Sequence, residues 1–426
     1  MSLFVHKFGG ASLKDAASIK NVANIIQQQS TPSIIVISAI GKTTNDLENV
    51  VKSAFFKSNP PEQYLESIKT QHQNIIHSLF HSISYQKEEE VQQLINKHWA
   101  YVEQLIRQDV IYPFGQFYDQ IVSVGELVSS TIVSEYLNAI GCYNTWLDVR
   151  QVLLTDQQWR AANIDWTNSL RRFEEIVRPF LSDTARIVTQ GFIGGTSHGF
   201  TTTLGREGSD YTAAIMAYFA DADSVTIWKD VEGVLNADPR YFKNPQKIDE
   251  LSYYDAIEMT YYGATVIHPK TIKPLQNKSI PLKVKSFIHP EASGTLIHQP
   301  QQTKRITTYS YLPNQVLITL QSQDFSFFAE PQIQQCFQII NNYGLKINLM
   351  QNTALNFSIC ITYDEVIFKN FISELQKHFK VLFNQNVAIL TIRHYVSNTL
   401  SSLLEGKEVL LEQRTRHHVQ FVLREK

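Results

Sequence analysis

Short apolar runs alternate with amphipathic helical stretches along most of the chain, and this alternation is the strongest constraint on its fold. SIIVIS (33–38), RIVTQ (186–190) and SVTIW (224–228) read as buried strands, each with a helix-like segment nearby. Such interleaving predicts an α/β class with a mostly parallel central sheet between helical layers. At 426 residues the chain is too long for one simple core, so two or three domains are expected.

Residues 61–111 depart from the alternation. Leu65, Ile68, Ile75, Ile76 and Leu79, then Val91, Leu94, Ile95, Trp99, Val102, Leu105 and Ile106, recur at helical spacing. This predicts a helical hairpin added to the α/β core. Its histidines, His72, His77, His81 and His98, are read as packing and solvation, because their spacings make no convincing ligand set.

The pattern resets after a polar, turn-rich stretch near 290–312. VLITLQ (316–321), KINLMQN (346–352) and NFSICITY (356–363) read as strands. EPQIQQCFQIINNYG reads as a helix, with Pro331 in its first turn and Gly344 past its end. Another helix is expected over 368–379. A second start follows, with the strand AILTIRHY, a short helix at 398–404 and a closing hairpin. The expected organisation is a catalytic domain over 1–300, an α+β module over 301–385, and an abbreviated repeat of it over 386–426.

Charge and cysteine usage narrow the function. A net charge of -2 gives no basic footprint, which argues against a nucleic-acid partner. Cys142, Cys336 and Cys360 fit neither a metal spacing nor a disulfide framework, which points to a reducing compartment. No apolar run approaches the roughly 20 residues of a membrane span. The N-terminus goes straight into a strand pattern, so the cytoplasm is expected.

Several stretches carry chemistry. In VHKFGGASLKD (5–15) two glycines follow Lys7; this is either a phosphate grip or a tight strand-to-helix turn. TTLGREGSDYTAAIMA (202–217) is small, polar and glycine-punctuated before turning helical near Ser209. A helix start of this kind is an anion site, and Arg206 offers a planar fork for a carboxylate or phosphate. TQGFIGG (189–195) ends a buried strand and would floor the same loop, beyond the carboxyl ends of the strands where ligands bind in open α/β sheets. WKDVEGVLNADPRYF (228–242) reads as a long loop after a strand. SVGELVSS opens a helix with Glu126, either a ligand or a dipole-compensating carboxylate. SAIGKTTNDL (38–47) places hydroxyls after a strand. A Walker P-loop, protein-kinase loops, a GxSxG elbow and a zinc signature are all missing.

Taken together these blocks resemble aspartate kinase, of the amino-acid kinase superfamily. The family's opening Lys-Phe-Gly-Gly-Thr-Ser stands here as Lys7-Phe8-Gly9-Gly10-Ala11-Ser12, and its Thr-Thr-Leu-Gly-Arg-Gly-Gly-Ser-Asp as Thr202 to Asp210 with Glu207 at one glycine. IWKDVEGVLNADPR looks like its nucleotide loop, GATVIHPKTIKPL (263–275) like the helix that follows, and the C-terminal modules like its ferredoxin-like ACT domains.

The resemblance implies phosphorylation of the β-carboxylate of L-aspartate by ATP, with Mg2+ held mainly by the nucleotide phosphates and no protein metal site. Lys7 would stabilise charge on the transferring phosphoryl group and Asp210 would orient Lys7. Ser38, Thr44, Glu126, Phe192, Arg206 and Ser209 would bind aspartate, Arg206 on the α-carboxylate and Glu126 on the α-amino group. Gly9, Gly10, Ser12, Lys229, Asp230, Leu235, Arg240 and Thr265 would meet the nucleotide.

The chain departs from the family at Lys229, where a threonine is usual, and at Thr265, where a lysine is usual. Glu207 would either brace Arg206 or compete for it. The resemblance also implies a homodimer through the ACT-like modules, a lysine or threonine effector, and RITTYSY (305–311) interlaced with the second module. The effector loop, QSQDFSFFAEPQ (321–332), lacks the usual glycine. The alternatives are a catalytically weak nucleotide-binding sensor and an amino-acid kinase acting on another acidic amino acid.

Overall fold

The computed structural model describes residues 2–29, 32–181, 185–263, 267–300, 306–324, 326–395 and 400–425. The chain divides into two compact units, Met1–Val234 with Lys247–Ile257 and Val266–Gln302, and Leu235–Gln246 with Glu258–Thr265 and Thr303–Lys426.

The first unit is built on an eight-stranded sheet. Its centre runs Leu282–Ser286, Ser224–Lys229, Phe4–Phe8, Ser33–Ile37, Arg186–Gln190, Thr145–Leu147, all parallel. Only Thr295–His298 runs against its neighbour Leu282–Ser286. Ser33–Ile37 is buried at every position, as a strand covered on both faces must be. The register sets Lys7 between Val36 and Ile227, so the neighbouring strands run out into loops at one common edge.

The helices cover this sheet for sequence reasons. Asp15 caps Ala16–Gln28 by accepting from the Ser18 N–H, and that helix buries Ile19, Val22, Ile25 and Ile26. Residues 61–111 hold two long helices, Pro61–Phe80 and Tyr85–Arg107, joined by a short turn that Ser84 caps. Their facing stripes, Leu65, Ile68, Ile76 and Leu79 against Val91, Ile95, Trp99 and Val102, join the main apolar cluster. His72 lies in that interface, with Nδ1 2.8 Å from the Ile68 carbonyl and its ring edge-on to Trp99.

The second unit is a six-stranded antiparallel sheet in the order Ile347–Asn352, Asn356–Thr362, Thr308–Gln321, Lys380–Arg393, His418–Glu425, Lys407–Arg414. Helices Glu330–Asn342 and Glu365–Gln376 lie over one half, burying Cys336, Ile339, Phe371 and Leu375. The second helix starts earlier than its apolar pattern suggests, because Asp364 accepts from the Val366 and Ile367 N–H groups.

Two sequence boundaries shift. The stretch around Thr308 is not separate from VLITLQ: one 14-residue strand holds both, kinked by bulges between Leu312 and Leu317. Its first half pairs with 389–393 and its second with 356–362 and 380–384, so strand pairing crosses the expected 385/386 limit. The segments 235–246 and 258–265 also leave the expected catalytic domain. Asn236 accepts from the Tyr309 N–H at 2.7 Å, Phe242 packs on Tyr309, and Glu258 meets Arg393. These contacts join residues far apart in sequence, which periodicity cannot register.

Candidate active site

The edge where the parallel strands end is a cavity of about 780 Å3. Lys7, Ser38, Phe192 and Lys229 stand at the ends of four adjacent strands and line it together.

The glycines after Lys7 serve close approach. A Cβ on Gly10 would fall 2.5 Å from the Gly41 carbonyl oxygen, and one on Gly9 3.2 Å from Lys7 Nζ. The Ser12 hydroxyl donates to the Gly9 carbonyl at 2.6 Å, which fixes the turn from beneath. Ser12 is fully buried and does not line this cavity.

Helix Gly208–Ala220 carries Ser209 and Asp210 in its first turn. Asp210 Oδ1 lies 2.7 Å from Lys7 Nζ, and Oδ2 3.7 Å from Lys229 Nζ. Burial pushes the Asp210 carboxyl up, but the charges of Lys7 and Lys229 outweigh it and hold the group below the usual range. Asp210 is therefore a fixed anion between two cations.

Glu126 sits in the first turn of helix Val124–Ala139 and faces the same cavity. Burial raises its pKa to about 8, against the Ala39 N–H bond and the Lys7 charge, which both lower it. One of its oxygens, Oε2, has no hydrogen-bond partner. A buried carboxyl left half satisfied costs stability unless a ligand or water completes it, which makes Glu126 a candidate ligand group.

Arg206 lines the cavity and is exposed. Glu207 neither braces it nor competes for it: its Oε2 accepts from the His268 backbone N–H at 2.9 Å. Thr44 lines the cavity from the first turn of helix Thr43–Phe56. The structure thus brings together Lys7, Gly10, Ser38, Thr44, Glu126, Phe192, Arg206, Ser209, Asp210 and Lys229.

The other expected residues fall elsewhere. Gly9 underlies Lys7. Asp230 is exposed and outside the lining. Leu235 and Arg240 belong to the second compact unit, where Arg240 pairs with Asp238 at 2.6 Å. Thr265 lies outside the described residues. Sequence reasoning missed Tyr118, Trp159 and Arg160, which complete the wall. The one available signal was a basic residue in a polar turn, which is common on any surface.

One group outside this cavity gathers two of the hairpin histidines. The ligand atoms of His77, His81 and Glu88 lie within 4.8 Å of one another, close enough to share a cation. Both rings already contact the Glu88 carboxylate, at 2.9 and 3.3 Å, on an exposed surface. Among the described residues no helix is long and apolar enough to cross a membrane.

A parallel sheet whose strand ends hold a lysine–aspartate–lysine cluster defines a phosphotransferase-type α/β site. Residues 2–286 match the model of the amino acid kinase family, so the chain belongs to that family. It is 29% identical to lysine-sensitive aspartokinase 3 of Escherichia coli K12, over 96% of this chain and 90% of that one. It is 28% identical to the chloroplastic bifunctional aspartokinase/homoserine dehydrogenase 2 of Arabidopsis thaliana, of which it spans 40%. The crystal structure of E. coli aspartokinase III with aspartate and ADP superposes with a TM-score of 0.84 at 26% identity, covering 99% of this chain and 96% of that one. The same enzyme with lysine and aspartate gives 0.82 at 26% identity, over 99% and 95%.

Proposed function

We propose that this chain is an aspartate kinase: it transfers the γ-phosphoryl group of MgATP to the β-carboxylate of L-aspartate, giving 4-phospho-L-aspartate and ADP. The carrying observation is the Lys7–Asp210–Lys229 cluster sharing one cavity with Glu126 and Arg206.

A β-carboxylate oxygen attacks the γ-phosphorus, and the bond from phosphorus to the bridging oxygen breaks, its electron pair leaving on ADP. The nucleophile is already ionised at neutral pH, so no general base is required. What remains is positioning and charge neutralisation. Lys7, fixed by Asp210, meets negative charge as it spreads over the transferring oxygens. Lys229 adds a second positive charge on the other side of Asp210. Arg206 takes the α-carboxylate and Glu126 the α-ammonium, the pair that marks a free α-amino acid. Ser38, Thr44 and Ser209 supply hydroxyls, and Phe192 closes the wall.

Of the carboxylates of the wall, Asp210 is held by two lysines and Glu207 by His268, and the remaining oxygen of Glu126 is given to the α-ammonium of aspartate. Mg2+ therefore enters as part of the nucleotide, held mainly by its phosphates. By the same reading the protein is cytoplasmic, dimerises through its second unit, and takes lysine as effector, as the lysine complex of the E. coli enzyme suggests. Aspartate-dependent ADP release tests the reading; turnover that ignores aspartate, or none at all, contradicts it.

A further inference from the structure

Arg160 is a charged member of the wall that the proposed function leaves unexplained. Its φ is +68°, in the left-handed region that a glycine would occupy without cost. The conformation is pinned from beneath. Asp119, fully buried, accepts from the Arg160 N–H at 3.0 Å, from the Thr203 N–H at 3.1 Å and from the Thr203 hydroxyl at 2.7 Å.

The same helix, Phe114–Val122, also supplies a platform for the side chain. The guanidinium lies 4.7 Å from the Tyr118 ring centroid and 5.6 Å from that of Phe114. Stacking occupies the face of a guanidinium and leaves its N–H edge available for a planar anion. No carboxylate among the described residues pairs with Arg160 or with Arg206. The two arginines start from touching segments: a Cβ on Gly205 would sit 3.3 Å from the Arg160 carbonyl oxygen. A strained residue held this firmly by its surroundings marks a functional demand.

We propose that Arg160 is a second clamp on the α-carboxylate of the substrate, acting beside Arg206. The proposal rests on the aspartate-kinase reading. Two guanidinium groups on one wall select an amino acid with a second carboxylate besides the one being phosphorylated. Lys7 and its partners handle the other end.

The test is steady-state kinetics of wild type, Arg160→Gly and Arg160→Lys, with L-aspartate and with β-alanine, which is aspartate without its α-carboxylate. Arg160→Gly suits the backbone, so folding is favoured. Its KM for aspartate is expected to rise about tenfold or more, the loss of one charge-assisted pair, with kcat and the KM for ATP changed less than about threefold. Arg160→Lys keeps the charge but not the fork, gives a smaller rise in KM, and carries the test if the glycine variant does not fold. Inhibition by β-alanine is expected to be indifferent to both changes. An unchanged aspartate KM, or an equal loss for β-alanine, overturns the role of Arg160 alone. Wild-type protein that releases ADP without aspartate overturns the kinase reading, and this proposal with it.

Discussion

Lys7 Nζ lies 2.7 Å from Asp210 Oδ1, both side chains nearly withdrawn from water, at the end of a strand and the start of a helix more than two hundred residues apart in sequence. The contact is a charge-assisted one, and the Lys7 charge helps hold the Asp210 carboxyl below its usual range. It fixes the ammonium group in the cavity and uses one of its three donors, so that the others can meet a phosphate.

Asp210→Asn is expected to remove the negative charge that lies between the ammonium groups of Lys7 and Lys229. Removing one partner of a buried pair costs about 3 kcal/mol. The melting temperature falls by several degrees, and kcat drops about a hundredfold while KM for aspartate moves little. A variant with wild-type kcat would show that Asp210 does not set the position of Lys7.

Glu126 gives a pH signature. With a pKa raised to about 8, it is mostly protonated in the empty enzyme at pH 7. An α-ammonium group binds the ionised form, so aspartate binding releases a proton. Between pH 7 and 8 kcat/KM for aspartate is expected to rise, by at most tenfold per pH unit, and to level off above about 8. Glu126→Gln flattens the rise and increases KM. A wild-type profile already flat from pH 6.5 to 8.5 contradicts the assignment.

The stretch containing Lys7 also shows what sequence yields and what it does not. Lys7, Arg206 and Asp210 could be named because each stands in a short contiguous block that resembles a family motif; residue types alone left the Lys7 stretch open between a phosphate grip and a turn. The strands at 33–38 and 186–190 were legible because burial on both faces leaves an unbroken apolar run. The Ser12 hydroxyl bond to the Gly9 carbonyl was not legible, because a hydroxyl beside two glycines reads alike whether it faces a phosphate or the backbone. Arg160 was invisible because its meaning comes from Asp119, Tyr118 and Gly205, none of them its sequence neighbours. The claim of 235–246 by the second unit rests likewise on pairings such as Asn236 with Tyr309.

His6, beside Lys7 but on the opposite face of the sheet, is buried with neither ring nitrogen paired. Burial lowers its pKa to about 4, aided by the nearby charges of Lys283 and Lys285; Trp228 is the neighbouring ring. A histidine with a depressed folded pKa contributes stability in full above its unfolded value, about 6.5, and loses it as pH falls towards about 4. The loss reaches about 3 kcal/mol. Asp119 works in the opposite sense over part of this window, because burial raises its pKa to about 6. The diagnostic is therefore a difference. His6→Leu should be more stable than wild type, relative to their difference at pH 8, by about 2 kcal/mol at pH 5. Denaturant melts at both pH values measure it, and a difference independent of pH rules the account out.

The central claim is that Lys7 serves transfer of phosphate to aspartate. The most direct measurement is ATP-dependent formation of aspartyl hydroxamate from L-aspartate and hydroxylamine, in wild type and Lys7→Ala, with a melt to confirm that the variant is folded. The account predicts product from wild type only when both ATP and L-aspartate are present, and at least a hundredfold less from folded Lys7→Ala. Hydroxamate from the variant at the wild-type rate, or none from wild type under any condition, would contradict it.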